Sequence, residues 1–207
     1  MFFRDQELSP EAHLDFAKKW GPINVNRFFT PVEGYPSIAE VRKEPHQQYN
    51  IGGNWHTDHS YDQIPALGSM LYAKELPKVG GDTLFAGCAA AFDTLSEGMK
   101  STLRSLRAVH SSRHVFGKSA AIPDDMADLF GNADKALQDA EHPVVIKHPL
   151  SGRETLYVNP GFTTRFVGWT EKESNSLLAF LYEHISRPEH TYRSVSYTHL
   201  TLPTIRS

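Results

Sequence analysis

Apolar positions first recur at helical spacing after Ser9-Pro10-Glu11, which offers an N-cap, a proline at the first helical position and an early acid. Leu14, Ala17 and Trp20 follow roughly one turn apart, so a short helix is predicted to end before Gly21. From Gly21 to Asn54 the chain is rich in Pro, Gly, Asn and Arg with little periodicity, which predicts irregular loops. Ser69 to Ala73 and Asp82 to Ala86 read as short strands joined by a turn over Pro77 to Gly81. Helical spacing returns over 89–107 and 124–140. Val144-Val145-Ile146 and Thr155-Leu156-Tyr157-Val158 flank Ser151-Gly152 and predict a hairpin. Thr170 and Glu173 are spaced as a capping box, after which Leu177, Leu178, Leu181 and Ile185 share one helical face. No internal repeat or linker interrupts the pattern, and 207 residues suit one domain.

Composition narrows the function classes. A formal charge of -3 and pI near 6.4 supply no basic field for nucleic acid or anionic lipid. No apolar run approaches the length of a membrane span, and the start of the chain lacks the pattern of an export signal. Cys88 is the single cysteine and has no internal disulfide partner, which fits a reducing cytoplasm. The expected partner is a small molecule rather than nucleic acid or a membrane.

The segment Trp55 to Ala86 carries the candidate chemistry. In an extended strand residues i and i+2 face the same side, so the imidazole of His56 and the carboxylate of Asp58 can converge on one metal ion. Those are two parts of a facial triad, in which two His and one acid hold Fe(II) and leave the opposite positions open. The spacing H-x-D also occurs in ordinary surface hydrogen-bonding pairs, so context decides.

That context is a series of ordered motifs: F-R-D-Q at the start, W-H-T-D at 55–58, K-E-L-P at 74–77, G-G-D-T-L at 80–84 and L-R-A-V-H at 106–110. The series continues with H-P-V-V at 142–145, H-P-L-S-G at 148–152 and V-N-P-G-F-T-T-R at 158–165. Up to about Arg193 the chain resembles the taurine and 2,4-dichlorophenoxyacetate dioxygenase family. The resemblance implies a mostly β fold with α insertions, a double-stranded β-helix or jelly roll with flanking helices. It implies Fe(II), 2-oxoglutarate as cosubstrate and O2, with His56 and Asp58 as iron ligands and Thr83 as a hydrogen-bond donor to a 2-oxoglutarate carboxylate. It also admits a homo-oligomer.

Substrate contacts are altered relative to the taurine enzyme. Asn26 and Phe29 stand where that enzyme uses a His and a Tyr, His59 replaces a small apolar residue facing the substrate, and Phe116 matches a pocket aromatic. The competing assignments are core packing for Phe116 and a structurally bonded imidazole for His59. His46, His110, His114, His142 and His148 lack ligand spacing and are read as structural or surface groups. Two other classes compete: a jelly-roll binding protein without oxidation, and a hydrolase, for which no activated Ser or Cys motif is present.

At the C-terminus the resemblance stops at Arg193. The family's second iron-binding His and its 2-oxoglutarate-pairing Arg would follow that point. Residues 194–207 resemble no part of the family. Back-translated from Val195, they can read GTC TCT TAT ACA CAT CTG ACG CTG CCG ACG, which looks like a transposon-end sequencing adapter. The expectation is therefore a dioxygenase domain over 1–193, incomplete at both ends, with a non-native tail over 194–207. His199 and Arg206 do not sit in the family's closing motif, and little or no turnover is expected of the chain.

Overall fold

The computed structural model describes residues 2–118, 120, 133–194 and 199–201. Strand β1 (Phe2–Arg4) leads into helix α1 (Pro10–Lys18), whose N-cap Ser9 accepts a hydrogen bond from the amide of Ala12. Strands β2 (Pro31–Val32) and β3 (Tyr35–Ala39) form a small antiparallel hairpin inside the stretch expected to be loops. Beyond it come β4 (Leu71–Tyr72), β5 (Thr83–Ala86), α2 (Cys88–Asp93) and α3 (Glu97–Arg104). Then follow β6 (Arg107–Ser111), α4 (Arg113–Phe116), β7 (Asp139–Pro143), β8 (Val145–Lys147), β9 (Glu154–Leu156) and β10 (Thr163–Phe166). Helix α5 (Glu171–Ile185), β11 (Thr191–Ser194) and β12 (His199–Thr201) complete the described elements.

Pairing is antiparallel throughout the described ladders. The sheets run β1-β12-β4, β10-β6-β7, β11-β5, β2-β3 and β8-β9. The predicted hairpin is present as β8 and β9, with Gly152 at φ +69° making its turn possible. The capping box is present too: the Thr170 side chain accepts from the Glu173 amide, and the Glu173 carboxylate accepts from the Thr170 amide.

Several expectations are corrected. Strands β4 and β5 do not pair with each other; β4 pairs β12 and β5 pairs β11. The predicted helix over 89–107 is two helices, broken where Ser96 caps the second by accepting from the Met99 amide, and Arg107 already belongs to β6. Of the predicted helix over 124–140, residues 124–132 lie outside the described residues. Ala133–Lys135 is a single 3-10 turn, and Asp139 begins β7, because its backbone pairs with Ser111 across the sheet. Helices and strands both contribute among the described residues, a mix consistent with the expected β fold with α insertions. No helix among them is long and apolar enough to cross a membrane.

The larger core lies between the helices and the sheets. Leu178, Leu181 and Ile185 of α5 meet Phe166, Ala108 and Leu156, with Ala91 and Phe92 of α2 and Leu103 of α3 closing the cluster. Each fully buried aliphatic side chain there contributes about 1.5–3 kcal/mol of transfer free energy. A second, aromatic cluster of Phe28, Tyr61, Ala136 and Phe162, with Val115 and Phe116 against it, lies beside the segment that carries His56.

Two strands near the C-terminus bear on the expected boundary at 193. Ser194 is the last residue of β11, is buried, and stands opposite Thr83. Residues 199–201, within the segment expected to be a tail, form β12 between β1 and β4. Strand pairing uses backbone groups that every residue but Pro carries in full, so an open edge accepts a segment of almost any sequence.

Candidate metal centre

Trp55, His56 and Thr57 lie in irregular backbone, and Asp58 opens a turn; the motif is not on a paired strand as expected. The two side chains converge nonetheless. His56 Nε2 is 3.3 Å from Asp58 Oδ1, and the side chains are 34% and 52% exposed. His56 Nδ1 lies 2.8 Å from the carbonyl oxygen of Asn54, which as an acceptor requires the proton on Nδ1 in the neutral ring and leaves the Nε2 lone pair facing Asp58. Ser69 Oγ donates to Asp58 Oδ2 at 2.8 Å. When the ring is protonated, Nε2–H donates to Asp58, and this bond raises the His56 pKa above its ordinary value and lowers that of Asp58.

Packing fixes the imidazole. A Cβ at Gly161 would stand 2.7 Å from the His56 Cβ, and one at Gly52 would stand 3.2 Å from its Cε1. Gly161 belongs to a turn held by buried Asn159, whose Oδ1 accepts from the Phe162 amide at 2.8 Å and whose Nδ2 donates to Ser60 Oγ at 3.1 Å. The turn is thereby tied to the segment that carries Asp58. The rings of Phe162 and His56 then stand nearly perpendicular, with centroids 6.3 Å apart.

The other candidate residues divide. Phe29 and Phe116 come together at 6.3 Å, and Phe116 lies 6.0 Å from Phe162, so both reach the His56 neighbourhood through one aromatic chain. Asn26 has a local duty: its Oδ1 accepts from the amides of Phe28 and Phe29 at 2.8 and 3.1 Å. His59 takes a left-handed backbone conformation, φ +58°, and its Nδ1 lies 2.9 Å from Asp62 Oδ2. Asp62 in turn pairs with Arg27, so this imidazole is tied into a local network of side chains. Thr83 sits half-buried on β5, and among the described residues no hydrogen bond joins it to His56 or Asp58.

The histidines read as structural include one unusual group. His110 is fully buried, its Nε2 has no hydrogen-bond partner among the described residues, and burial pushes its pKa down to about 3. Its ring lies against His142 and Tyr157. Cys88 is a poor nucleophile, because burial raises its pKa to about 11. Two hollows, of about 310 and 430 Å³, are lined by Gly168, Trp169 and Glu173 and by a set including Arg107, Val109 and Arg165; neither is lined by His56 or Asp58.

Sequence reasoning assigned no role to Ser69, Asn159, Gly161 or Gly52. Asn159 and Gly161 lay in a quoted motif, and a Gly directly after Pro160 was a readable signal of close backbone approach. Nothing local marked Ser69, eleven residues from its partner.

The donor set fits a cation. Two donors 3.3 Å apart can both touch one ion at bond lengths of about 2.1 Å, and a neutral imidazole with a carboxylate suits divalent transition metals. No group of three or more His, Cys, Asp or Glu that could hold a metal occurs among the described residues.

The model of the family described as taurine catabolism dioxygenase TauD, TfdA family matches residues 1–194. The chain belongs to the TauD, TfdA family. An alkylsulfatase of Acinetobacter baylyi is 32% identical over 93% of this chain and 61% of its own length. The alpha-ketoglutarate-dependent 2,4-dichlorophenoxyacetate dioxygenase of Cupriavidus pinatubonensis is 31% identical, over 93% of this chain and 71% of its own. A taurine dioxygenase structure from Burkholderia xenovorans superposes with a TM-score of 0.74 at 30% identity, covering 97% of this chain and 64% of that one. Against two alpha-ketoglutarate-dependent dioxygenases of Penicillium expansum the chain spans about half their length, 54% and 52%. The family is one of dioxygenases, and three of these relatives are named as alpha-ketoglutarate-dependent.

Proposed function

We propose that this chain carries part of the active site of an Fe(II)- and 2-oxoglutarate-dependent dioxygenase that hydroxylates a small organic anion. The observation that supports this most is the convergence of His56 Nε2 and Asp58 Oδ1 at 3.3 Å, with Asn54 and Ser69 orienting the two ligands from outside. Iron, when bound, couples oxidative decarboxylation of 2-oxoglutarate to substrate oxidation, so that one O2 yields succinate, CO2 and a hydroxylated product. The fold this reading implies is a double-stranded β-helix.

The chain's own residues have defined tasks in it. His56 and Asp58 hold the metal. Thr83 donates its hydroxyl hydrogen to a carboxylate of 2-oxoglutarate from β5, which β11 pairs along Thr83–Ala86. Phe29, Phe116 and Phe162 form an apolar wall on the His56 side that holds water away from the organic part of a substrate. Relatives named for sulfonates, sulfate esters and 2,4-dichlorophenoxyacetate point to a substrate that carries one anionic group on a small carbon frame. We propose the same cytoplasmic setting and the same tail, 194–207, that the sequence suggests.

A second reading is a non-catalytic small-molecule binder on the same scaffold. One experiment separates them. The parent locus is read across the codon for Arg193, and Fe(II)-dependent release of succinate from 2-oxoglutarate is measured for the extended protein and for this chain. Succinate from the extended protein only supports the dioxygenase and the tail together. No succinate from either, with native sequence restored, leaves the binder. A genome that encodes 194–207 as written overturns the tail.

A further inference from the structure

The two oxygens of Asp58 are used differently. Oδ1 faces His56 Nε2 at 3.3 Å, while Oδ2 accepts a hydrogen bond from Ser69 Oγ at 2.8 Å. Ser69 reaches it from two residues before β4, across a loop of eleven positions. We infer that Ser69 is a positioning residue that makes Asp58 a one-oxygen ligand. This rests on the reading of His56 and Asp58 as a metal pair.

A carboxylate rotates in a broad, roughly two-fold well about its last torsion, so an unrestrained Asp can offer a cation either one oxygen or two. Two-oxygen binding would occupy an extra coordination position. The chemistry proposed above needs that position, because the cosubstrate chelates and O2 must also bind. A hydroxyl that donates into Oδ2 occupies one of its lone pairs, which weakens it as a second ligand oxygen, and sets the plane of the carboxylate. On the other ligand the Asn54 carbonyl does the corresponding work, but as a backbone group it cannot be deleted by substitution. Ser69 can.

The ion preference follows. Ca²⁺ accepts two-oxygen carboxylates at 2.3–2.6 Å in irregular shells of about 6–8 oxygens, whereas the imidazole-containing site suits transition metals. Removing the Ser69 hydroxyl therefore weakens transition-metal binding and moves the site toward Ca²⁺. A merely structural role for Ser69 would lower both affinities together.

The test is a Mn(II) titration of the chain as it stands, read by loss of the free-ion EPR signal, with Ca²⁺ as competitor. Wild type, Asp58→Ala, Ser69→Ala and Ser69→Thr are compared, each checked by circular dichroism for unchanged fold. Mn(II) binding lost in Asp58→Ala identifies the site. Ser69→Ala is expected to bind Mn(II) about 10-fold more weakly, with competition by Ca²⁺ more effective, and Ser69→Thr to stay within about 3-fold of wild type. Wild-type Mn(II) affinity in Ser69→Ala overturns the inference and leaves the metal pair standing. A loss that Ser69→Thr does not restore, or one shared equally by Ca²⁺, assigns Ser69 to packing and also overturns it. No difference between wild type and Asp58→Ala overturns the metal pair, and Ser69 with it.

Discussion

At Gly161 the missing side chain matters more than most side chains present. A methyl group placed there meets the His56 Cβ at 2.7 Å, closer than real carbon atoms approach, and the Trp55 carbonyl oxygen at 3.4 Å. Gly161→Ala is therefore expected to lower the melting temperature by the equivalent of about 1–3 kcal/mol, the usual range for overpacking. It should also weaken Mn(II) binding, because the imidazole must shift. A variant that melts and binds like wild type would show that the turn yields instead. His110 carries a second expectation at this scale. Its folded pKa, about 3, lies below the ordinary histidine value of 6.5, because burial disfavours the charged ring. Between those values the unfolded chain binds a proton that the folded chain does not, so stability falls as pH drops below 6.5. The loss from pH 7 to pH 5 amounts to about 2 kcal/mol from this group alone. His142, also lowered by burial, adds in the same direction. Denaturant titrations at the two pH values should show the loss, and His110→Gln should flatten it; an equal slope in the variant would assign the effect elsewhere.

Elements were legible where short-range chemistry decides them. The Thr170–Glu173 box was readable because both hydrogen bonds span three residues, and α5 begins where it says. Thr170→Ala is expected to cost about 1 kcal/mol, and Leu181→Ala, fully buried on the inner face of the helix, about 2–5 kcal/mol. Thermal melts check both, and a larger loss at Thr170 than at Leu181 would contradict this account of what holds α5. The misreadings share a cause. Asp139–Pro143 has a composition compatible with a helix but pairs as a strand with β6, a partner about thirty residues earlier in the chain. The pairing of β5 with β11 rather than with β4 likewise joins segments that no local pattern connects.

Across the whole molecule, the described core is assembled by residues up to Ile185, with β11 adding its register against β5. Ending the chain after Ser194 removes β12 from between β1 and β4 and is expected to leave the melting temperature close to that of the 207-residue chain, since the described core clusters contain no residue beyond Ile185. A large fall in stability would make 199–201 part of the fold and weaken the reading of 194–207 as a tail. By itself, the sequence determined the family, the hairpin around Gly152 and the capped helix α5, and it put His56 and Asp58 within reach of each other. Each of these is written in residues that lie close together in the chain or in the order of motifs along it. Only the tertiary structure decided that Ser69 holds Asp58, that Gly161 makes room for His56, that Asn26 caps its own turn and that His59 is bound to Asp62. The carboxylate, the imidazole and the glycine meet partners brought near by folding. Hydrogen-bond direction and contact at the distance of a methyl group depend on coordinates in space, which spacing along a chain does not encode.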